Sequence, residues 1–107
     1  MVVLHDLVRN RACAAIDVVA RSARVRAAYV FGSQAVGTAT EQSDIDVAAF
    51  IENAAELGLS GRVQLGVETR EQVGDDIEIH LLPAEALSNP PNASFAAYIL
   101  RHGIRIL

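Results

Sequence analysis

An α+β domain, one mixed β-sheet of about four strands with flanking helices, is the fold this sequence predicts. Three observations lead there. Short apolar runs rich in Val, Ile and Ala stop at Gly, Asn or Pro, as strands do. Between them lie longer stretches whose apolar residues recur every three or four positions, as on a helix. The elements follow the order αββαβαβ, which suits a single sheet covered by helices. With 107 residues, 51% of them hydrophobic, residues 1–107 read as one domain with a real core.

Residues 2–23 form the first predicted helix. Leu4, Leu7, Val8, Ala12, Ala15, Ile16 and Val19 fall on one stripe, with Arg9, Arg11, Asp17 and Arg21 off it. Residues 26–31, RAAYVF, read as a short buried strand that Gly32 ends. A loop over 32–43 follows, with room for a turn of helix near 34–36, and a second strand covers 44–51. A helix is expected over 60–72, with Val63, Val67 and Arg70 in register. Gly74-Asp75 then turns the chain into a third strand at 76–82. Asn89-Pro90-Pro91-Asn92 marks a loop, with Asn92 as the expected cap of a helix over 93–102. That helix would bury Phe95 and Ile99 and stop at Gly103. A short strand at 104–107 closes the chain.

Composition narrows the function. The net charge of −4 argues against a general nucleic-acid binder. All nine basic residues are Arg. The lone cysteine, Cys13, excludes an internal disulfide and suits a reducing cytoplasm. No secretory leader pattern opens the chain, and no apolar run is long enough to span a bilayer. A soluble cytoplasmic protein is the expectation.

The chemistry concentrates in residues 29–50. On a strand, Asp44 and Asp46 point the same way with Cα atoms roughly 6–7 Å apart. Ala48 and Phe50 share their face, while Ile45, Val47, Ala49 and Ile51 make the other, a core face. Two carboxylates converging at a strand end suit Mg²⁺, which takes a few carboxylate oxygens and completes its shell with water and phosphate. Gly32 lets the backbone approach a ligand closely, and the Ser33 hydroxyl and neighbouring N–H groups can hold phosphate oxygens. One side of such a site grips a polyphosphate and the other supplies metal, as nucleotidyl transfer requires. A third carboxylate is offered by "DDIEIHLL", residues 75–82. Alternation puts Asp76, Glu78 and His80 on one face. Glu78 is the choice because it lies deeper in the strand, and Asp76 is the fallback.

Gly32-Ser33, ten residues, then Asp44-x-Asp46, with "FGSxAxG" and "SDID" around them, resembles the minimal nucleotidyltransferase (MNT) group of the DNA polymerase β-like superfamily. The closing "YILRHGIRIL" is similar to the end of those small proteins. The resemblance implies the polymerase β-like nucleotidyltransferase fold. It implies Mg²⁺-dependent transfer of AMP from ATP, with Asp44, Asp46 and Glu78 as catalytic metal ligands and Gly32 and Ser33 on the triphosphate. Small members of this group are antitoxins of helical HEPN ribonuclease toxins and modify a tyrosine hydroxyl of that partner. A homodimer or hetero-oligomer would supply the acceptor-binding surface that larger relatives carry as an extra domain. In this chain the third acid is Glu where many relatives have Asp.

Blander readings stand beside these. Asp44 and Asp46 also suit a solvated strand start, Gly32-Ser33 a plain turn, and Asp76 and Glu78 a charged edge that discourages sheet-to-sheet pairing. His80 reads as a half-exposed strand residue, and His5 and His102 as surface. Arg24 and Arg26 read as a solvated helix end, with contact to nucleotide or partner as the lesser reading. Two other functions remain open: a non-catalytic module that neutralises its partner by contact, and a small-molecule (antibiotic) nucleotidyltransferase.

Overall fold

The computed structural model describes residues 4–40 and 42–107. Helix α1 (Asp6–Ala20) leads into β1 (Val25–Phe31), a single helical turn α2 (Ser33–Val36), β2 (Ile45–Ile51), α3 (Ala54–Gln72), β3 (Ile77–Pro83), a 3₁₀ turn at Ala84–Leu87, α4 (Phe95–His102) and β4 (Ile104–Arg105). The strands form one mixed sheet in the order β3-β2-β1-β4. β1 pairs antiparallel with both β2 and β4, and β2 pairs parallel with β3. Parallel neighbours need a long crossover, and α3 supplies it. The α+β class and the four-stranded mixed sheet expected from the sequence are what the structure shows.

Both faces of the sheet are covered, which explains why β1 and β2 are apolar almost throughout. On one face Ala12, Ala15, Ile16 and Val19 of α1 and Leu65 of α3 pack against Val30, Ile45, Val47, Ala49, Ile51 and Ile77. On the other, Ala96 and Ile99 of α4 meet Ala27, Tyr29, Phe31, Ala48, Phe50 and Leu82. Strands buried on both sides lose the polar alternation of an exposed sheet. Asp46 is the only polar residue within β2.

Several helix details differ from expectation. α1 begins at Asp6, where the His5 imidazole accepts from the Leu7 N–H as an N-cap, and Leu7 is exposed. Of the residues predicted helical, Val2 and Val3 lie outside the described residues, as does Glu41 in the predicted loop. α3 starts earlier than predicted and breaks at Gly58, whose φ of 64° no helical residue adopts. It buries Leu65 and Thr69, leaving Val63 and Val67 exposed. Thr69 loses its polarity by donating its hydroxyl to the Leu65 carbonyl at 2.7 Å. The cap of α4 is Ser94, whose Oγ accepts from the Ala97 N–H, in place of Asn92. Ala96 shares the buried face with Ile99, and Phe95 is half exposed.

Asp76 lies just ahead of β3 and points away from Asp46. The Arg11 guanidinium of α1 grips both its oxygens, and this hydrogen bonding holds the Asp76 carboxyl below the usual range. Because the folded-state pKa is depressed, the pair stabilises the fold above the unfolded value, about 3.9. That contribution is lost as pH falls through the lower folded value. Both side chains are partly solvated, so screening limits the gain. Arg11→Ala should cost about 1 kcal/mol at neutral pH. Urea unfolding of variant and parent should converge in strong acid.

Candidate active site

The sheet register brings distant stretches into one row. Phe31 of β1 lies opposite Asp46 of β2, and Asp46 lies opposite Glu78 of β3. Residues directly opposed across a pair point to the same face. One step along, Tyr29, Ala48 and His80 form the next row. Asp46 is thus on the face covered by α4, at the end of β2.

Gly32 follows Phe31 with φ 74° and ψ −151°, backbone open essentially to glycine alone. A Cβ at this position would stand 2.6 Å from Asp46 Oδ2. The glycine therefore lets the bend at the end of β1 close onto the carboxylate. Ser33 opens α2 immediately after it and is half-buried. The Gly32 carbonyl accepts from Ala35 and Val36, and the Ser33 carbonyl from Gly37 and Thr38, which fixes this bend. Ser43 braces the far end of the loop, its Oγ accepting from the Thr40 N–H at 2.8 Å.

Asp46, Glu78 and His80 each present one ligand atom, all within 4.8 Å of one another. Burial raises the Asp46 carboxyl above the ordinary carboxylate range; the negative charges of Glu78 and Asp44 push it further, while His80 opposes them. Among the described residues, no arginine forms an ion pair with Asp46 or Glu78. Glu78 is exposed, not sunk into the strand, while Asp46 is half-buried; adjacent carboxylates disfavour one another's charge, and a divalent cation removes that conflict. The donor set fits such an ion: hard oxygens from two strands, on a face that Gly32 keeps open.

Of the residues singled out from sequence, the structure sets Gly32, Asp46 and Glu78 against one another. Asp44 sits one residue before β2, exposed, outside the tight cluster but close enough for its charge to act on Asp46. Asp76 belongs to Arg11. His80, read from sequence as a half-exposed strand residue, brings Nε2 to 3.6 Å from Asp46 Oδ1. Its ring packs edge-on against Phe31 and Phe95, at centroid distances of 5.1 and 5.6 Å. Alternation already placed it on the acid face. Only the pairing with Ala48, whose small side chain leaves room, shows that the imidazole turns toward Asp46. Arg24 and Arg26 pair with Glu52 at the opposite end of β1 and β2, at 3.3 and 3.0 Å, away from the acids.

Comparison with known proteins bears on the fold and family. The family described as Polymerase beta, Nucleotidyltransferase matches residues 14–107. Among solved structures, a candidate nucleotidyltransferase from Sulfolobus solfataricus superposes with a TM-score of 0.60 at 21% identity, covering 76% of this chain and 71% of that one. That likeness speaks for the fold. A search of curated proteins found no match. Among the described residues, no helix is long and apolar enough to cross a membrane. The Gly32 bend, the Asp46–Glu78 row and a match over nearly the whole chain converge, and the protein belongs to the polymerase beta nucleotidyltransferase family.

Proposed function

We propose that this protein is a cytoplasmic, Mg²⁺-dependent nucleotidyltransferase that moves AMP from ATP to a hydroxyl, a tyrosine by preference, of a helical HEPN ribonuclease toxin, and so acts as its antitoxin. The observation that carries the catalytic part is the approach of the Gly32 bend to Asp46, which stands opposite Glu78 across the sheet. Asp44, Asp46 and Glu78 hold the ion, and Ser33 donates its hydroxyl to a phosphate oxygen. Bound Mg²⁺ supplies charge neutralisation at the reacting phosphate, worth several kcal/mol. The acceptor oxygen attacks the α-phosphorus, its proton passes to Glu78, and the bond to the departing pyrophosphate breaks as the new P–O bond forms. Glu78 also borders a groove of about 260 Å³ shared with Arg62 and Arg70, a place for the acceptor segment to approach.

The partner part rests on surface chemistry. Leu59, Val63 and Val67 are exposed at successive turns of α3. Such a stripe on a helix suits docking against another helix. It equally favours the second reading, neutralisation by contact without chemistry. One experiment separates them: incubation with labelled ATP, Mg²⁺ and a helical HEPN toxin that this protein neutralises, then mass spectrometry. The transferase reading expects the toxin to gain one or more AMP units. It also expects Asp44→Ala/Asp46→Ala to lose both adduct and neutralisation while still folding. Neutralisation by that variant with no adduct would establish contact alone.

A further inference from the structure

We propose that His80 is a further direct ligand of the divalent ion, joining Asp46 and Glu78 in a set of two carboxylates and one imidazole that holds a transition ion such as Mn²⁺ more tightly than the carboxylates alone would. The proposal rests on the reading of this site as a metal-dependent transferase centre and deepens it. The three ligand atoms come from neighbouring strands in register, and each lies within 4.8 Å of the others. Ligands around an octahedral ion with bonds of about 2.1 Å stand roughly 3 Å apart when adjacent and 4.2 Å apart when opposite. The 3.6 Å between His80 Nε2 and Asp46 Oδ1 falls inside that span and is too long for a good hydrogen bond.

The state of Nε2 is the independent observation. It is shut off from solvent and has no hydrogen-bond partner among the described residues. A buried imidazole nitrogen normally finds one. Here Phe31 and Phe95 pack edge-on against the ring, and Nε2 points to Asp46 Oδ1, although the side chain as a whole is about a third exposed, 32%. As a metal ligand, an imidazole would present its Nε2 lone pair to the ion. Oxygen-only sets suit Mg²⁺, whereas an imidazole nitrogen moves preference toward first-row transition ions.

The test needs no turnover. Protein carrying ¹⁵N-histidine is titrated with Mn²⁺, alone and with ATP, in nitrogen-free buffer, and followed by pulsed electron paramagnetic resonance. Bound Mn²⁺ should show ¹⁵N coupling from one histidine. His80→Gln should abolish the coupling and weaken Mn²⁺ binding about tenfold or more, while Mg²⁺ affinity by competition changes little. A His5→Gln/His102→Gln double variant should keep the coupling and leaves His80 as the only imidazole, so the answer does not depend on the folding of His80→Gln. Mn²⁺ bound without ¹⁵N coupling would overturn the histidine ligand and leave the transferase reading standing. No Mn²⁺ binding with or without ATP would overturn both.

Discussion

Asp46→Asn should cripple nucleotide transfer and yet leave the folded protein at least as stable as its parent. The two effects share one cause. Asp46 is half-buried beside Glu78, with Asp44 close by, and its pKa is raised, first by burial. A raised folded-state pKa stabilises the fold below the unfolded value, about 3.9, and that contribution is lost as pH rises through the folded value. At neutral pH the ionised group is therefore a burden on the metal-free fold. The neutral amide removes the charge at nearly constant shape. Thermal unfolding without metal should show the variant matching or exceeding the parent at pH 7, with the gap closing below roughly pH 4. Transfer should fall about a thousandfold, the equivalent of several kcal/mol of lost charge stabilisation. A variant that unfolds more easily at neutral pH would show that the carboxylate is a structural group.

Gly32→Ala should damage both stability and activity. Its φ of 74° and ψ of −151° lie where a side chain is strained whatever the surroundings, a cost of about 1–3 kcal/mol. The new methyl would also meet Asp46 Oδ2 at 2.6 Å, displacing the carboxylate or reopening the bend. Gly37 is the control. It takes φ 83° and ψ 16°, the ordinary left-handed region. Gly37→Asn should lose about 1 kcal/mol or less, because Asn enters that region readily. Urea unfolding with a transfer assay on both variants checks the contrast. Normal transfer by Gly32→Ala would mean that the close approach to Asp46 is dispensable.

The strands were legible because their signal is strong. VRAAYVF and IDVAAFI can hardly be anything other than buried strands, and an aspartate inside the second stands out against its neighbours. The site residues on the sheet could be listed by counting in twos. What counting could not supply was pairing register, and register is what turns His80 toward Asp46. Asp76 was ambiguous for a related reason. Alternation extends naturally to residue 76, and nothing local announces that Arg11, 65 positions earlier, holds it. α3 misled because its buried stripe is short and partly polar. Thr69 hides its hydroxyl on a backbone carbonyl, and the more hydrophobic Val63 and Val67 face outward. The α4 cap was misplaced because both Asn92 and Ser94 suit the role, and Ala93, with φ 61°, turns the chain between them.

The connection between β2 and β3 has a consequence for how the protein comes into being. Gly32 and Asp46 sit at facing ends of an antiparallel pair joined by a short stretch of chain, so that half can form early during synthesis. Glu78 and His80 arrive only after α3 has been made and has swung its strand alongside β2, a slower, non-local event. Nascent chains ending before residue 77 lack Glu78 and His80 and should hold the ion far more weakly than the finished sheet.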